Sequence, residues 1–217
     1  MAMRKVRVVY VTSSKYKVEE NKVFTAKCHL KDGTLVGKYF QFEFREVPIL
    51  ETLEVDLAVM VQAEVTKAYS QIKIPCIVEH AGLIFEDYKD RSYPGGLTKP
   101  MWDTLKDRFV EETQSAGRKA VARAVVAYCD GKSVQTFVGE TGGTLADRPR
   151  GKREFYWDTV FIPDDPRGQS NNKTYAEIVE DPKLGLAYKI EYLSQSSRAM
   201  LKFLEYLRAS PPCDLWE

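Results

Sequence analysis

The run Val6-Arg7-Val8-Val9-Tyr10-Val11 narrows the possible folds of this chain more than any other feature. It is short, continuous and β-branched, and reads as a buried first strand. Thr12-Ser13-Ser14 ends it with hydroxyls. Lys15 to Lys27 then reads as a helix, with Val18, Val23 and Phe24 among charged neighbours. A strand, small polar residues and a helix start together form a natural anion cradle. Backbone N–H groups are free there, and the helix dipole favours negative charge. The segment lacks the glycine spacing of a Walker loop.

The rest of the chain continues the alternation. Lys31-Asp32-Gly33 is a turn, and Phe40, Phe42 and Phe44 alternate with polar residues as in a half-buried strand. Helical spacing of Leu57, Val61, Val65 and Ala68 predicts a helix from Leu53 to Tyr69. Pro75-Cys76-Ile77-Val78 predicts a short buried strand ending in Glu79-His80. A Gly- and Pro-rich loop, Ser92 to Leu97, precedes a predicted helix from Pro100 to Val110. Ala120 to Tyr128 and Val134 to Val138 flank Asp130-Gly131 as a hairpin. Lys189 to Ala209 predicts one long final helix, ended by Ser210-Pro211-Pro212. Leu193, Met200, Leu204 and Leu207 lie on its core face. Strands alternating with helices, plus a central hairpin, predict a mixed α/β fold with a cleft.

With 217 residues and no low-complexity linker, residues 1–217 read as one domain. The formal net charge of +1 gives no field toward nucleic acid or an anionic membrane, so local charge must bind any phosphate. Lys152-Arg153 is too short a cluster to track a nucleic-acid backbone. No apolar run near the N-terminus is long enough to span a bilayer, and Met1 to Tyr10 lacks a signal-peptide pattern. Cys28, Cys76, Cys129 and Cys213 are scattered without a C-x-x-C pair, which fits thiols kept reduced in the cytoplasm. His29 and His80 form no zinc-spaced cluster.

The densest chemistry lies in Pro149-Arg150-Gly151-Lys152-Arg153-Glu154-Phe155-Tyr156-Trp157-Asp158. A turn, basic side chains, aromatics and a carboxylate in so few residues can stack a flat ring and read its polar edge. The alternative is a strand entry with two core aromatics.

Several segments in order resemble the inosine triphosphate pyrophosphatases. Thr12, Lys17 and Glu20 are similar to that family's T-x-N-x-x-K-x-x-E, and Val78 to Leu83 to its V-E-D-T/S-G-L. Gly95-Gly96-Leu97 with Pro100 resembles its G-G-x-P-G-P turn. Phe155, Trp157 and Asp158 match its F-G-W/Y-D-P, Thr174 to Glu177 its T-x-A-E-M, and the helix from Ser194 the segment opening with S-H-R. The resemblance implies an elongated, two-lobed α/β sheet with flanking helices, a central nucleotide cleft and a homodimer. It implies hydrolysis of non-standard purine nucleoside triphosphates to monophosphate and pyrophosphate with Mg²⁺, or Mn²⁺. Thr12, Ser13, Ser14, Lys15 and Lys17 become the phosphate-binding candidates, with Lys15 and Lys17 alternatives set by helix phase. Glu51, Glu54 and His80 become the metal candidates. His80, Glu79 and Lys17 become the catalytic ones. Phe155, Trp157, Asp158, Lys189, Ser194, Gln195 and Ser196 become the base-binding set, with the flat ring held between Phe155 and Trp157.

The sequence departs from that pattern where the chemistry sits. His80 stands in place of the family's Asp. Imidazole accepts a proton near neutral pH but is a poor Mg²⁺ ligand. A purely structural His80 would cap a strand end. Glu79 could replace the Asp only if the strand is bulged or already over, since otherwise it faces the opposite way. Ser14 replaces an Asn, Tyr156 a glycine and Thr159 a proline. Ser194-Gln195-Ser196 replaces S-H-R, and Arg198, roughly 200° round the helix from Ser196, is no simple substitute. Lys189 lies five residues before Ser194, where the family spacing is four. A nucleotide is therefore expected to bind with altered base selectivity. The alternative is a nucleotide-binding sensor or partner module that has lost hydrolysis.

Overall fold

A computed structural model describes residues 5–113, 118–152 and 155–210. Arg153, Glu154, Pro211, Pro212 and Cys213 lie outside those residues. The elements are β1 (Val6–Val11), α1 (Lys15–Lys27), the single turn α2 (Val36–Tyr39), β2 (Phe40–Arg45), α3 (Leu57–Ile72), β3 (Cys76–Phe85) and α4 (Thr98–Leu105). They continue with β4 (Lys119–Cys129), β5 (Val134–Leu145), β6 (Phe161–Pro163), α5 (Tyr175–Glu180), α6 (Gly185–Tyr188) and α7 (Gln195–Ala209). The six strands form one mixed sheet in the order β2-β1-β3-β4-β5-β6. β1 pairs in parallel with β2 and β3, and the remaining pairs are antiparallel.

Helices cover both faces. Val8, Tyr10 and Ile77 pack with Phe24 of α1 and with Met200, Phe203, Leu204 and Leu207 of α7. On the opposite face, Val9, Val11, Cys76 and Val78 pack with Leu57, Met60, Val61, Val65 and Ala68 of α3. A further core joins Leu83 and Phe85 to Phe109, Trp157, Phe161 and Tyr175. Both faces of β3 and of the Val8–Val11 end of β1 are thus largely removed from water, which is why that end of β1 reads as an unbroken apolar run.

Several sequence boundaries move. α3 begins at Leu57 rather than Leu53 because Asp56 caps it, accepting from Ala58 N at 2.7 Å. The strand expected to end at Glu79-His80 runs on to Phe85, because its antiparallel ladder with β4 continues from Cys76↔Cys129 to Phe85↔Ala120. The helix expected over Pro100 to Val110 breaks at Lys106, whose φ is 50°, and continues as 3₁₀ turns. The long final helix divides at Ser194, which is extended and accepts from Ser197 N to cap α7. Lys189–Leu193 before it forms a π turn.

Two glycines bring loops together around the site. A Cβ on Gly95 would lie 2.1 Å from the Val55 carbonyl oxygen, and one on Gly96 would lie 2.2 Å from that of Glu54. Only glycine permits this approach. It holds the start of α4 against the loop that bears Glu51.

Candidate active site

β1 delivers the chain to Thr12-Ser13-Ser14, and Ser14 caps α1 by accepting from Lys17 N at 3.3 Å. Thr12 Oγ1 accepts from Ser14 N at 3.1 Å. These two hydroxyls therefore serve their own turn. Helix phase separates the two lysine alternatives: Lys15 is exposed, whereas Lys17 points inward to Glu79.

Glu79 and His80 are adjacent on β3 and face opposite ways. Glu79 shares its face with Ile77, and His80 shares its face with Val78. The Glu79 carboxylate is almost wholly buried. It accepts from Tyr10 OH at 2.7 Å and from Ser196 Oγ at 2.8 Å, and lies 3.3 Å from Lys17 Nζ. Lys17 Nζ also donates to the Glu79 carbonyl. Burial pushes the Glu79 pKa up, but Lys17 and the two hydroxyl donors outweigh it and hold it below the usual carboxylate range. Because the strand neither bulges nor ends here, Glu79 does not take the place of the missing Asp. Its carboxylate is committed to an ion pair rather than free to act as a base. A small pocket lined by Tyr10, Lys17, Glu20, Glu79, Ser196 and Met200 opens beside it.

On the other face, His80 Nε2 lies 2.5 Å from Glu64 Oε2. Glu64 sits on α3, and its Oε1 accepts from Thr52 N at 3.4 Å. Glu51 is engaged by Lys99, with Nζ at 2.9 and 3.1 Å from its two oxygens. Burial pushes the Glu51 pKa up, and Lys99, His80 and Lys17 together bring it below the ordinary value. Glu54 turns back on its own loop, where Oε1 accepts from Val55 N at 2.7 Å and Asp56 N at 3.2 Å. The expected metal set of Glu51, Glu54 and His80 is thus not gathered. Among the described residues, no group of three or more His, Cys, Asp or Glu side chains is placed to hold a metal ion.

The aromatic loop is also rearranged from expectation. Trp157 is only 6% exposed and meets Phe161 edge-on at 5.7 Å and Tyr175 at 6.2 Å. It is a core ring, so the expected slot between Phe155 and Trp157 does not exist as an open groove. Phe155 is half-buried, and Tyr16 of α1 stacks on it at 4.8 Å. Tyr156 holds φ at 49°, the left-handed conformation that the family's glycine adopts readily. Lys99 Nζ lies 5.7 Å from the Tyr156 ring, joining this loop to Glu51.

Asp158 and Lys189 do come together. Lys189 Nζ lies 2.5 Å from Asp158 Oδ2 and 2.9 Å from Glu20 Oε1, with all three side chains largely buried. Burial pushes the Lys189 pKa down, but Asp158 and Glu20 outweigh it and hold the pKa above its usual value. Ser194 and Gln195 are structural: Ser194 caps α7, and Gln195 Oε1 accepts from Tyr175 OH at 3.0 Å in the core. Ser196 donates to Glu79.

Sequence reasoning missed Glu64, Tyr10, Tyr16 and Lys99. Glu64 had a signal, since it falls on the buried stripe of α3 with Leu57, Val61 and Ala68. A carboxylate there needs a partner. Tyr10 was a phenol in the apolar half of its strand, Val8 to Val11. Glu20 was visible in the N-terminal motif, but its contact with Lys189 depends on the fold.

A model of the Ham1 family matches residues 8–206. A dITP/XTP pyrophosphatase of Hyperthermus butylicus is 26% identical over 201 residues, covering 91% of this chain and 94% of the relative. An inosine triphosphate pyrophosphatase of Kluyveromyces lactis is 28% identical over 208 residues, covering 94% and 97%. The Ham1 protein of Staphylococcus aureus shares the fold with a TM-score of 0.64 at 15% identity, covering 94% of this chain and 98% of that one. A HAM1 protein from Coxiella burnetii gives 0.63 at 19% identity, covering 93% and 99%.

Proposed function

We propose that this chain, which belongs to the Ham1 family, hydrolyses non-standard purine nucleoside triphosphates to a nucleoside monophosphate and pyrophosphate. The observation that carries the reading is the family match across the body of the chain, with relatives named as dITP/XTP and inosine triphosphate pyrophosphatases over nearly their full lengths. These names favour turnover over a nucleotide-binding module without it.

Lys17 and the N-terminal turn of α1 neutralise the phosphate tail. His80 accepts a proton from the attacking water. The water oxygen bonds to phosphorus, and the bridging oxygen leaves with pyrophosphate. Phe155 offers the purine a face once Tyr16 gives way, with the Asp158–Lys189 pair beside it. Ser196, in place of the family's Arg, brings no positive charge to the base edge, and this is the source of the altered selectivity.

Mg²⁺, or Mn²⁺, fits one part of the donor set. Such ions take one or two carboxylates together with substrate phosphates. Glu51 presents a half-exposed carboxylate of that kind, whereas Glu54 does not. The ion would neutralise phosphate charge there. A homodimer in the cytoplasm completes the proposal. The exposed Leu50 and Leu53 give apolar surface for a second copy, and the three described cysteines are free thiols. Among the described residues no helix is long and apolar enough to cross a membrane.

The test is pyrophosphate release from a panel of deaminated and ordinary purine triphosphates with either metal. The reading expects turnover of the deaminated set, with a preference among bases unlike that of a family member carrying S-H-R. Binding of the same nucleotides without release would favour the sensor alternative.

A further inference from the structure

We propose that Glu64 is a positioning residue for His80, holding the imidazole as its Nε2–H tautomer and leaving Nδ1 as the bare acceptor. The inference rests on the hydrolase reading for its consequence, but its geometry stands alone. Glu64 lies on the apolar stripe of α3, where Leu57, Val61, Val65 and Ala68 pack against the sheet. An aliphatic side chain would fill that place at no electrostatic cost. The carboxylate instead meets His80 Nε2 at 2.5 Å. A nitrogen and an oxygen that both lacked hydrogen would repel at that separation, so the proposal places the hydrogen on Nε2, with the carboxylate as acceptor. The His80 side chain keeps 18% exposure, and the proposal sets Nδ1 on that open side, where water can reach it. A carboxylate that fixes an imidazole's tautomer and orientation is a known device for preparing a proton acceptor.

The same carboxylate steadies the neighbouring loop. Its second oxygen accepts from Thr52 N at 3.4 Å, next to Glu51. Two other α3 side chains hold that loop: Lys67 Nζ donates to Leu50 O at 3.3 Å and to Thr52 Oγ1 at 3.1 Å, and Gln71 Nε2 donates to Pro48 O at 3.1 Å. α3 therefore fixes both the His80 ring and the segment bearing Glu51, and Glu64 is the residue that touches both.

Nitrogen-15 NMR of the imidazole rings tests this directly. The chain has two histidines, and exposed His29 is the internal reference. In the wild-type protein at a pH where free imidazole is neutral, the proposal expects the His80 hydrogen on Nε2. In Glu64→Gln the preference relaxes, kcat falls about 10²-fold and KM stays within about twofold. Adding Glu64→Gln to His80→Ala produces no further loss. A wild-type His80 with hydrogen on Nδ1, or a Glu64→Gln spectrum identical to wild type, overturns the proposal. A wild-type protein with the expected tautomer but no turnover would leave the pairing intact and sink the hydrolase reading instead.

Discussion

Glu79 and His80 are consecutive residues with opposite surroundings. Glu79 is sealed among Tyr10, Lys17 and Ser196, with donors on both carboxylate oxygens. His80 has one nitrogen held by Glu64 and keeps some exposure. The Glu79 side is closed around its charge, with only a small pocket beside it, and on the proposed mechanism the more open His80 side carries the group that reacts. Strand alternation alone decides which residue goes where. In the proposed mechanism the histidine thus stands on the reacting side, where the family pattern has its Asp, while Glu79 stays paired on the other.

The comparison is broken most severely from the open side. His80→Gln retains an amide able to meet Glu64 but removes Nδ1. Turnover should fall by about 10²- to 10⁴-fold, with stability to urea unchanged within about 1 kcal/mol. Equal losses of turnover and stability would place His80 among structural residues.

On the closed side, Lys17→Met strands a buried carboxylate. Chemical denaturation should show a loss of about 3–5 kcal/mol, together with weaker triphosphate binding. Stability near that of wild type would mean that the Glu79 cluster is hydrated rather than sealed.

Acid sharpens the same contrast by a smaller amount. The pKa of Glu79 is held below its unfolded value, so its contribution is present above about pH 4.3 and is lost as pH falls through the lower folded value. Thermal melts of wild type should decline in that acid window, and Glu79→Gln should decline less steeply. Parallel declines would remove Glu79 from the account.

The smallest effect belongs to Lys15→Ala. Lys15 is exposed at the start of α1, and its loss should change stability by no more than about 0.5 kcal/mol. Triphosphate binding should weaken less than in Lys17→Met. A reversed ranking would turn the phosphate-binding helix by one face.

Much of the fold was legible because local rules governed it. β1 and α1 coincide with their sequence boundaries, since β-branched residues, a hydroxyl cap and a charged helix all agree. β3 did not, because Glu79 and His80 look like the end of a strand. The ladder to β4 carries the strand past them, and pairing partners distant in sequence leave no local mark. Trp157 shows a different limit. Its composition suits both a stacking surface and a core ring, and only Phe161 and Tyr175 decide between them. The pairing of Lys189 with Asp158 and Glu20 likewise joins segments far apart in the chain. Glu64 could have been read from helical periodicity, but its partner His80 could not.

Phosphorus NMR of an inosine triphosphate reaction tests the central claim most directly, because it reports which anhydride bond breaks. The account predicts inosine monophosphate and pyrophosphate as the first products, with the signal lost in His80→Gln. Inosine diphosphate and orthophosphate, or full turnover in His80→Gln, would contradict it.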